Sequence, residues 1–491
     1  MSTLRAEVCE ISSRSMRSFF AGGFLTLALL GCASVAPQSA VPVAVDVPTA
    51  WSSADVSAAA GASSLAQWWL RFNDPLLERL VTEALQSNTS VKSAQAALRQ
   101  ARALRDVSAA ALWPAVGAAA SAQRAMTGGH ATGNSFRAGL DASWELDIFG
   151  ANRSALDASE ASARASAASL GDVQVSIAAE VALAYITLRG TQTRLVIAEE
   201  NLASQLETLQ ITQWREQAGL VSSLEVEQAL SASEQTRAQL PTLRSLIGQS
   251  GHALAVLTGQ PPAALSALLA PAGPMPRARD DLALSIPAET LRQRPDVRAA
   301  EDQVRVALAR VAQADAALAP SFHIGGTLGL AALTLGTLGS GSAAVGSLLA
   351  SVSMPLFDGG ALRAQVRAQE AALDQARAAY EAAVLTALQD VEDALVALRG
   401  ARERLSTLQR AADAAGSAAL LARQRYASGL IDFQTVLDTQ RTQLSTQDSV
   451  VGATSELSAN HVRLYKALGG GWRPDGNDET PATSEDAASR S

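Results

Sequence analysis

Apolar and polar residues alternate along four short stretches of the chain, and this pattern predicts β-strands. Residues 136–148 show it most clearly, with polar residues or glycine at every second position. A period of two places one face of a strand in apolar surroundings and the other in water. Residues 116–124, 322–330 and 348–356 alternate in the same way, less regularly. The apolar positions of the first stretch are Phe136, Ala138, Leu140, Ala142, Trp144, Leu146 and Ile148. Taken alone, this stretch fits a membrane strand and the edge of a soluble sandwich equally well.

Residues 324–357 carry no charged side chain and could also be interpreted as a transmembrane helix. Seven glycines lie in this stretch, and each costs a helix about 1 kcal/mol relative to alanine. Two strands joined by a glycine-rich loop fit better, and about 10 residues is the length that a tilted membrane strand needs. We therefore predict a β-hairpin here.

Two much longer stretches, 150–217 and 360–426, contain no proline and predict helices of about 67 residues each. At 1.5 Å per residue such a helix is roughly 100 Å long. Helices of globular proteins average about 11–12 residues, so these are expected to be coiled-coil or barrel-stave elements. Neither is expected to hold an apolar run long enough to span a membrane.

The landmarks of the first half recur in the second half at nearly constant spacing. Phe149 and Phe357 each precede a long helix, and Gly219 and Gly429 each follow one. Such spacing predicts a duplicated unit of one β-hairpin and long helices. Shorter helices at 75–112, 221–257, 295–318 and 431–468 are expected to lead back toward the strands. The one at 221–257 is expected to be broken at Pro241.

The expected boundaries follow from this duplication. The first repeat covers 76–262, a proline-rich equatorial linker covers 263–288, and the second repeat covers 289–472. Acidic residues among Ser, Thr, Ala and Pro at 473–491 predict a disordered tail.

Because four strands cannot close a barrel and an open edge in lipid is costly, membrane strands would require oligomerisation. A dimer, trimer or tetramer would each satisfy this requirement.

Residues 1–31 are expected to be a signal peptide, with an apolar core at 19–30 too short to span a bilayer. Met16 is an alternative start, which would make 1–15 a mis-assigned extension. The motif Leu29-Leu30-Gly31-Cys32 resembles a bacterial lipobox, which implies that Cys32 is acylated and that 32–75 is a lipid-anchored segment. The alternative is a buried cysteine at the end of an ordinary signal peptide. By the same resemblance to lipoproteins, Ala33 rather than aspartate after the cysteine implies sorting to the outer membrane.

Charge and composition argue against several functions. A net charge of −8 without a basic patch predicts no nucleic-acid partner. Four scattered histidines lack metal-ligand spacing, so no metal site is expected. No glycine-rich segment ends in Gly-Lys-Ser/Thr, which argues against ATP use. We expect no cofactor, no catalytic residue and no enzymatic activity.

Four motifs together carry a family resemblance that covers about residues 15–472. They are Trp68-Trp69-x-x-Phe72-x-Asp74-Pro75, Ser143-Trp144-Glu145-Leu146-Asp147-Ile148-Phe149-Gly150, Ala184-Tyr185-Ile186-x-Leu188-Arg189, and Arg294-Pro295-Asp296-Val297-Arg298-Ala299-Ala300-Glu301. In this order, the chain resembles the TolC/OprM-like outer-membrane efflux lipoproteins of the NodT type.

The resemblance implies an α+β membrane protein that forms a homotrimer. Its twelve-stranded β-barrel would continue into an α-helical periplasmic tunnel. It also implies partnership with a periplasmic adaptor protein and an inner-membrane RND transporter, for the export of drugs or other small toxic compounds. A periplasmic coiled-coil structural lipoprotein, or the outer-membrane duct of a type I protein-secretion system, is the alternative.

By the same resemblance, the tip of the second helical hairpin forms a periplasmic gate. Asp438 occupies the acidic position of that gate, with Val436 beside it. Thr435 stands where some members carry a second aspartate, so a single acidic ring is expected. Glycine at 219 and 429 supplies the positive φ of a tight turn. With Leu220 and Leu430, these turns are expected to dock the adaptor. The alternatives are that the glycines only end the helices and that Asp438 is an ordinary solvated helix residue.

Overall fold

The computed structural model describes residues 47–48, 50–51, 65–127, 131–278 and 291–473. Cys32 and the expected signal peptide lie outside the described residues, as does all but the first residue of the expected tail. The helices and strands, in chain order, are α1 (Pro75–Ser87), α2 (Thr89–Ala110), β1 (Ala115–Thr127), β2 (Ala131–Leu146), α3 (Ala151–Gln217), α4 (Ser223–Leu257), α5 (Ser266–Leu269), α6 (Pro295–Ala316), β3 (Ser321–Ala332), β4 (Ala344–Ser353), α7 (Ala361–Ala427) and α8 (Phe433–Ala467). Short 3₁₀ turns cover Trp68–Phe72, Leu335–Thr337 and Gly341–Ala343.

One compact unit, built from 108–156 and 308–369, holds the sheet. Its four strands are antiparallel in the order β1-β2-β3-β4, so each predicted hairpin forms and β2 pairs with β3 across the two copies. The hairpin prediction for 324–357 is therefore confirmed, and the helical interpretation is wrong. The glycines that weaken a helix here lie in the strands and in the loop between them.

The register between β2 and β3 brings apolar residues into opposite positions. Leu140 faces Leu328, and Trp144 faces Ile324. The Trp144 indole N–H also donates to the Leu112 carbonyl at 3.0 Å, which ties β2 to the end of α2. Neighbouring positions on one face of a sheet are therefore apolar together, as the alternation within each strand predicts.

The second unit, built from 43–107, 157–307 and 370–491, holds the long helices. Its largest core cluster surrounds Trp68, Tyr185 and Tyr465, which are all almost fully buried. Trp68 stacks on Tyr465 with ring centroids 5.3 Å apart. Alanine is the most frequent residue type at the buried positions of α3, which lets neighbouring helices approach closely.

Two predicted helix boundaries are wrong. The expected single helix at 75–112 is divided at Asn88, whose side chain accepts hydrogen bonds from the backbone N–H groups of Ser90 and Val91 and so caps α2. Conversely, α4 continues through Pro241 without interruption. The linker also contains α5, a single turn that the sequence did not predict.

The expectation that neither long helix holds an apolar stretch of spanning length is also wrong for α3. By length and composition α3 could cross a membrane. Half of that stretch is buried inside the protein. Composition therefore does not decide the role of α3.

Candidate functional site at the helix hairpin tips

Two nearly identical turns close two helical hairpins. The first hairpin consists of α3 and α4, and the second of α7 and α8. Gly219 has a φ of 72° and Gly429 a φ of 74°, so the prediction of positive φ is confirmed at both. The glycine N–H donates to Glu216 in one turn and to Tyr426 in the other. The next residue, Leu220 or Leu430, donates five residues back. This paired arrangement terminates a helix through a glycine that tolerates left-handed backbone.

Each turn presents one large apolar side chain to solvent. Leu220 is 68% exposed and Leu430 is 74% exposed. Exposed leucine at a tight turn does not help the chain to fold, because it stays in water. Of the four residues predicted for adaptor docking, the two leucines are therefore exposed at the surface of the protomer.

A small hydrophobic cluster holds the two hairpins together behind the turns. All four long helices contribute, through Leu209, Ala229, Ala232, Ala422, Tyr426, Phe433, Val436 and Leu437. Val436 is fully buried in it. Its side chain packs inside the protomer, so in this conformation it lies in the core next to the predicted gate position on α8. The apolar, inward-facing position of Val436 on α8 explains this burial.

A polar contact at Tyr426 joins the two hairpins directly. The Tyr426 hydroxyl donates to Glu225 Oε2 at 2.9 Å, linking α7 to α4. Arg215 of α3 donates from Nη1 to the Tyr426 carbonyl at 2.6 Å, and its guanidinium lies 4.5 Å from the centre of the tyrosine ring. We call Tyr426, Glu225 and Arg215 the tip latch.

The environment of Tyr426 keeps the latch in its hydrogen-bonded form. Burial raises the pKa of the Tyr426 hydroxyl, and the hydrogen bond to the Glu225 carboxylate raises it further. The hydroxyl therefore remains a donor throughout the physiological pH range. Since burial makes a hydrogen bond stronger, this contact can hold one hairpin against the other.

Asp438 and Thr435 lie on an exposed face of α8. The Asp438 side chain is 60% exposed, accepts a hydrogen bond from Gln434 Nε2 at 3.0 Å, and lies 3.8 Å from Arg441. Thr435 donates its backbone N–H to Asp432 at 2.8 Å. Hydrogen bonds from the Thr435 hydroxyl and N–H lower the pKa of Asp432, which caps α8 as a carboxylate. Because its side chain is mostly exposed, the single carboxylate expected at Asp438 can face solvent or an aperture.

Further contacts between the hairpins lie along the helices away from the tips. Arg423 donates to Ser204 at 2.8 Å, and Gln440 donates to Thr208 at 3.1 Å. Farther along, Arg194 bonds the Asp448 carboxylate through both Nε and Nη2. Each of these contacts joins α3 to α7 or α8, so the first hairpin is fastened to the second over several turns.

Sequence reasoning missed the tip latch. Tyr426 and Glu225 are about 200 positions apart, and only the register between helices brings them together. One signal was available, because Tyr426 is an aromatic residue three positions before the second turn glycine. Within the described residues no group of histidine, cysteine and carboxylate side chains could hold a metal ion. The contacts at the tip are hydrogen bonds, a cation–π contact and apolar packing, so the tip can hold the two helical hairpins together.

Comparison with known proteins places these features in a family. The family model for outer membrane efflux proteins matches residues 80–260 and 286–470. The outer membrane protein OprJ of Pseudomonas aeruginosa is 31% identical over 93% of this chain and 96% of its own length. The pyoverdine export outer membrane protein OpmQ of Pseudomonas putida is 32% identical over 92% of this chain and 97% of its own length.

Solved structures agree with the sequence relatives. The outer-membrane channel OprN matches with a TM-score of 0.79 and 37% identity, over 87% of this chain and 99% of that one. The MtrE outer membrane channel of Neisseria gonorrhoeae, in its open state, matches with a TM-score of 0.79 and 28% identity, over 88% of this chain and 97% of that one. The matched segments include both hairpins and both tips, and the chain belongs to the outer membrane efflux protein family.

Proposed function

We propose that this protein is the outer-membrane exit duct of a tripartite RND-type efflux system, which passively conducts drugs or other small toxic compounds. The observation that carries the proposal is a membrane-type sheet whose edges are open, in one chain with two pairs of long helices. The related proteins are described as channels or as outer membrane proteins of efflux pumps, including a toluene efflux pump of Pseudomonas putida. Energy for export comes from an inner-membrane partner.

The sheet supports the membrane part of the proposal. In the described chain the sheet ends at β1 and β4. The side chains on its apolar face, among them Val116, Leu328 and Leu348, are exposed. Exposed apolar side chains and unpaired strand edges are both costly in water, and lipid together with neighbouring copies would satisfy both. Three copies sharing one wall would form a barrel of twelve strands, above the roughly eight of the smallest bacterial barrels.

The tips support a gate that rests closed. The tip latch and the contacts above it fasten each protomer's hairpins together, which would hold a narrow aperture in a trimer. Asp438 and Thr435 lie on the exposed face of α8 and would line that aperture, whereas Val436 forms the core behind it. Three carboxylates near one axis would attract cations and repel one another. The latch would balance that repulsion.

Docking to a periplasmic adaptor would use the two turns. Leu220 and Leu430 are exposed on matching turns of the two repeats, so a trimer would present six similar contact points. Repeated small apolar contacts suit an adaptor that is itself assembled from several copies. The acylated Cys32 would anchor the chain to the outer membrane from the periplasmic side.

Single-channel recording tests this function. The purified full-length protein, added to planar lipid bilayers, is expected to insert stable cation-preferring conductances. The same preparation should give a band that changes mobility on heating, as membrane barrels do. A protein that binds lipid through Cys32 yet conducts no ions would instead be a periplasmic spacer. Deletion and complementation, scored on a panel of toxic compounds, would then identify what is exported.

A further inference from the structure

The end of β4 continues into an uncovered apolar surface. The exposed side chains on the apolar face of β4 include Leu348 and Val352, and Leu356 beyond the strand keeps their parity. Leu356 is 91% exposed, and Phe357 beside it is 93% exposed. They are the two most exposed large apolar side chains in the part of the chain that the structure describes. Water is an unfavourable environment for both.

Two cations follow at the beginning of α7. Gly359 and Gly360 have φ values of 66° and 90°, so the chain turns sharply between the strand and the helix. Arg363 and Arg367 are both exposed and lie one turn apart on the same face of α7. At 1.5 Å per residue they are separated by about 6 Å along the helix axis. We call the following four residues the junction surface: Leu356, Phe357, Arg363 and Arg367.

Neither cation of the junction surface is paired inside the protomer. In the described part of the chain, the guanidinium groups of Arg363 and Arg367 form no hydrogen bond and no salt bridge. Asp358 attracts Arg363, but its oxygens accept hydrogen bonds from the backbone N–H groups of Gly360 at 2.8 Å and Leu362 at 2.7 Å. A guanidinium presents a fork of N–H donors that suits a phosphate group. Both forks are available to an anion from outside.

The corresponding junction of the first repeat satisfies its side chains internally. The ring of Phe149 lies 6.4 Å from that of Phe322, and Phe149 is only 46% exposed. The cation that follows, Arg153, pairs with Asp147 at 3.1 Å. Of the two junctions, that of the second repeat alone leaves both its aromatic ring and its cations uncovered. The duplicated fold therefore does not require this exposure.

The order of side chains at this junction matches the layers of a bilayer. Apolar residues of β4 come first, then an aromatic ring, then two cations. Rings of this kind mark the interface in membrane barrels. A bilayer is roughly 30 Å thick across its hydrocarbon and about 40–45 Å with headgroups, so each headgroup layer is about 5–7 Å thick. Two arginines about 6 Å apart would both lie in that layer.

A second copy of the chain would not supply the missing anion. The edge that would pair with β4 is β1, and residues 108–115 lead into β1 at the same end of the sheet. This stretch reads Ser-Ala-Ala-Ala-Leu-Trp-Pro-Ala and has no acidic side chain. A neighbouring copy could cover apolar area, but it leaves the guanidinium groups without a partner. Anionic headgroups attract cations at a membrane surface, and lipid can satisfy both parts of the surface.

We propose that the junction surface binds an anionic phospholipid of the phosphatidylglycerol type. The phosphate pairs with the two guanidinium groups, and the upper part of the acyl chains lies against Leu356 and Phe357. Binding is non-covalent. This inference rests on the function proposed above, because it needs the end of β4 to lie in a bilayer. It adds a preference for headgroup charge, which a sheet in lipid does not by itself require.

The test measures lipid preference at the junction. The full-length protein carries a bimane fluorophore at Met354→Cys and is placed in phosphatidylcholine nanodiscs. A quencher lipid with a nitroxide near the top of one acyl chain is added, with either a phosphatidylglycerol or a phosphatidylcholine headgroup. We expect the anionic quencher to act at a severalfold lower mole fraction. Arg363→Gln and Arg367→Gln should each reduce this preference by up to about fivefold, because one cation near the surface is lost.

Two controls match the probe and the charge. Ile148→Cys carries the same fluorophore at the first junction, where residue 148 is 51% exposed, compared with 52% for residue 354. Both quenchers should act equally there. Arg377→Gln, introduced with Met354→Cys, removes an exposed cation of α7 that pairs with Asp374 at 3.2 Å. It lies about 15 Å farther along the helix than Arg367 and should leave the preference unchanged.

The possible outcomes separate this inference from the proposed function. Equal quenching at residue 354 by both lipids, or equal loss of preference in Arg377→Gln and Arg363→Gln, would overturn the lipid site and leave the proposed function in place. Quenching at residue 148 but not at residue 354 would overturn it in favour of a covering second copy. No quenching by either lipid at either position would overturn both. The comparison of the two lipids needs no arginine variant, so it decides even if those variants do not fold.

Discussion

Tyr426→Phe is the sharpest perturbation of the tip latch. The substitution removes one hydroxyl and keeps the ring, so the contact with the Arg215 guanidinium and the packing on Phe433 both remain. What is lost is the hydrogen bond to Glu225, at 2.9 Å in the parent. Glu225 is half-buried, so water can replace the lost donor in part.

The expected size of the effect follows from this geometry. A hydrogen bond to a charged acceptor contributes about 1.5–3 kcal/mol, and the access of water to Glu225 reduces this to about 1–2 kcal/mol. If three protomers open together, the closed state loses about 3–6 kcal/mol. Because 1.4 kcal/mol is a factor of about ten, the ratio of open to closed channels should rise by a factor of about 10² to 10⁴.

Open probability in planar bilayers measures this ratio directly. Tyr426→Phe and Glu225→Gln should both open the channel, and the double variant should add little to either. Tyr380→Phe makes the same chemical change elsewhere on α7 and should leave the open probability unchanged. If Tyr426→Phe matched Tyr380→Phe, the latch would not hold the closed state, and the resting gate would need another explanation.

Three further predictions concern other parts of the chain. Asp438→Ala should change conductance or reduce cation preference in planar bilayers, and unchanged currents would remove this residue from the aperture. Gly171→Ala should destabilise the protein by about 1–3 kcal/mol in chemical unfolding, because the added methyl would lie 2.5 Å from the Trp472 indole. Gly400 on α7 has no atom within 4 Å of an added Cβ, so Gly400→Ala should instead stabilise the protein by about 0.5–1 kcal/mol. If both substitutions changed stability in the same direction, the close contact between Gly171 and Trp472 would be contradicted. Burial raises the pKa of Tyr185 to about 12, so its contribution to stability is present below pH 10 and is lost as pH rises from 10 to 12. The parent should therefore lose about 1–2 kcal/mol more than Tyr185→Phe between pH 9 and pH 12, and parallel losses would refute the assignment.

Local pattern predicted the elements of the fold well. The alternation at 136–148 identified β2, and the absence of proline identified α3 and α7 to within one or two residues. Glycine spacing identified both turns, since positive φ is a local requirement. The break at Asn88 was missed because a capping side chain inside a helical pattern looks like an ordinary polar residue.

Contacts between distant segments could not be predicted in the same way. Pairing of β2 with β3 joins the two repeats, and no local signal reports it. The tip latch and the burial of Val436 both depend on how four helices are rotated about their axes. A motif can place Val436 near the gate, but only packing shows that its side chain faces the core.

Cysteine cross-linking between strand edges tests the central claim that several copies share one wall in the membrane. Ala119→Cys on β1 is combined with a cysteine at position 345, 347 or 349 of β4, all on the polar face of the sheet. Within one protomer β1 and β4 lie at opposite edges of the sheet. Oxidation in intact outer membranes is predicted to give a disulfide-linked ladder that ends at three chains for at least one pair. A protein that stays a single chain at every pair, with both edges open to a water-soluble thiol reagent, would contradict the account.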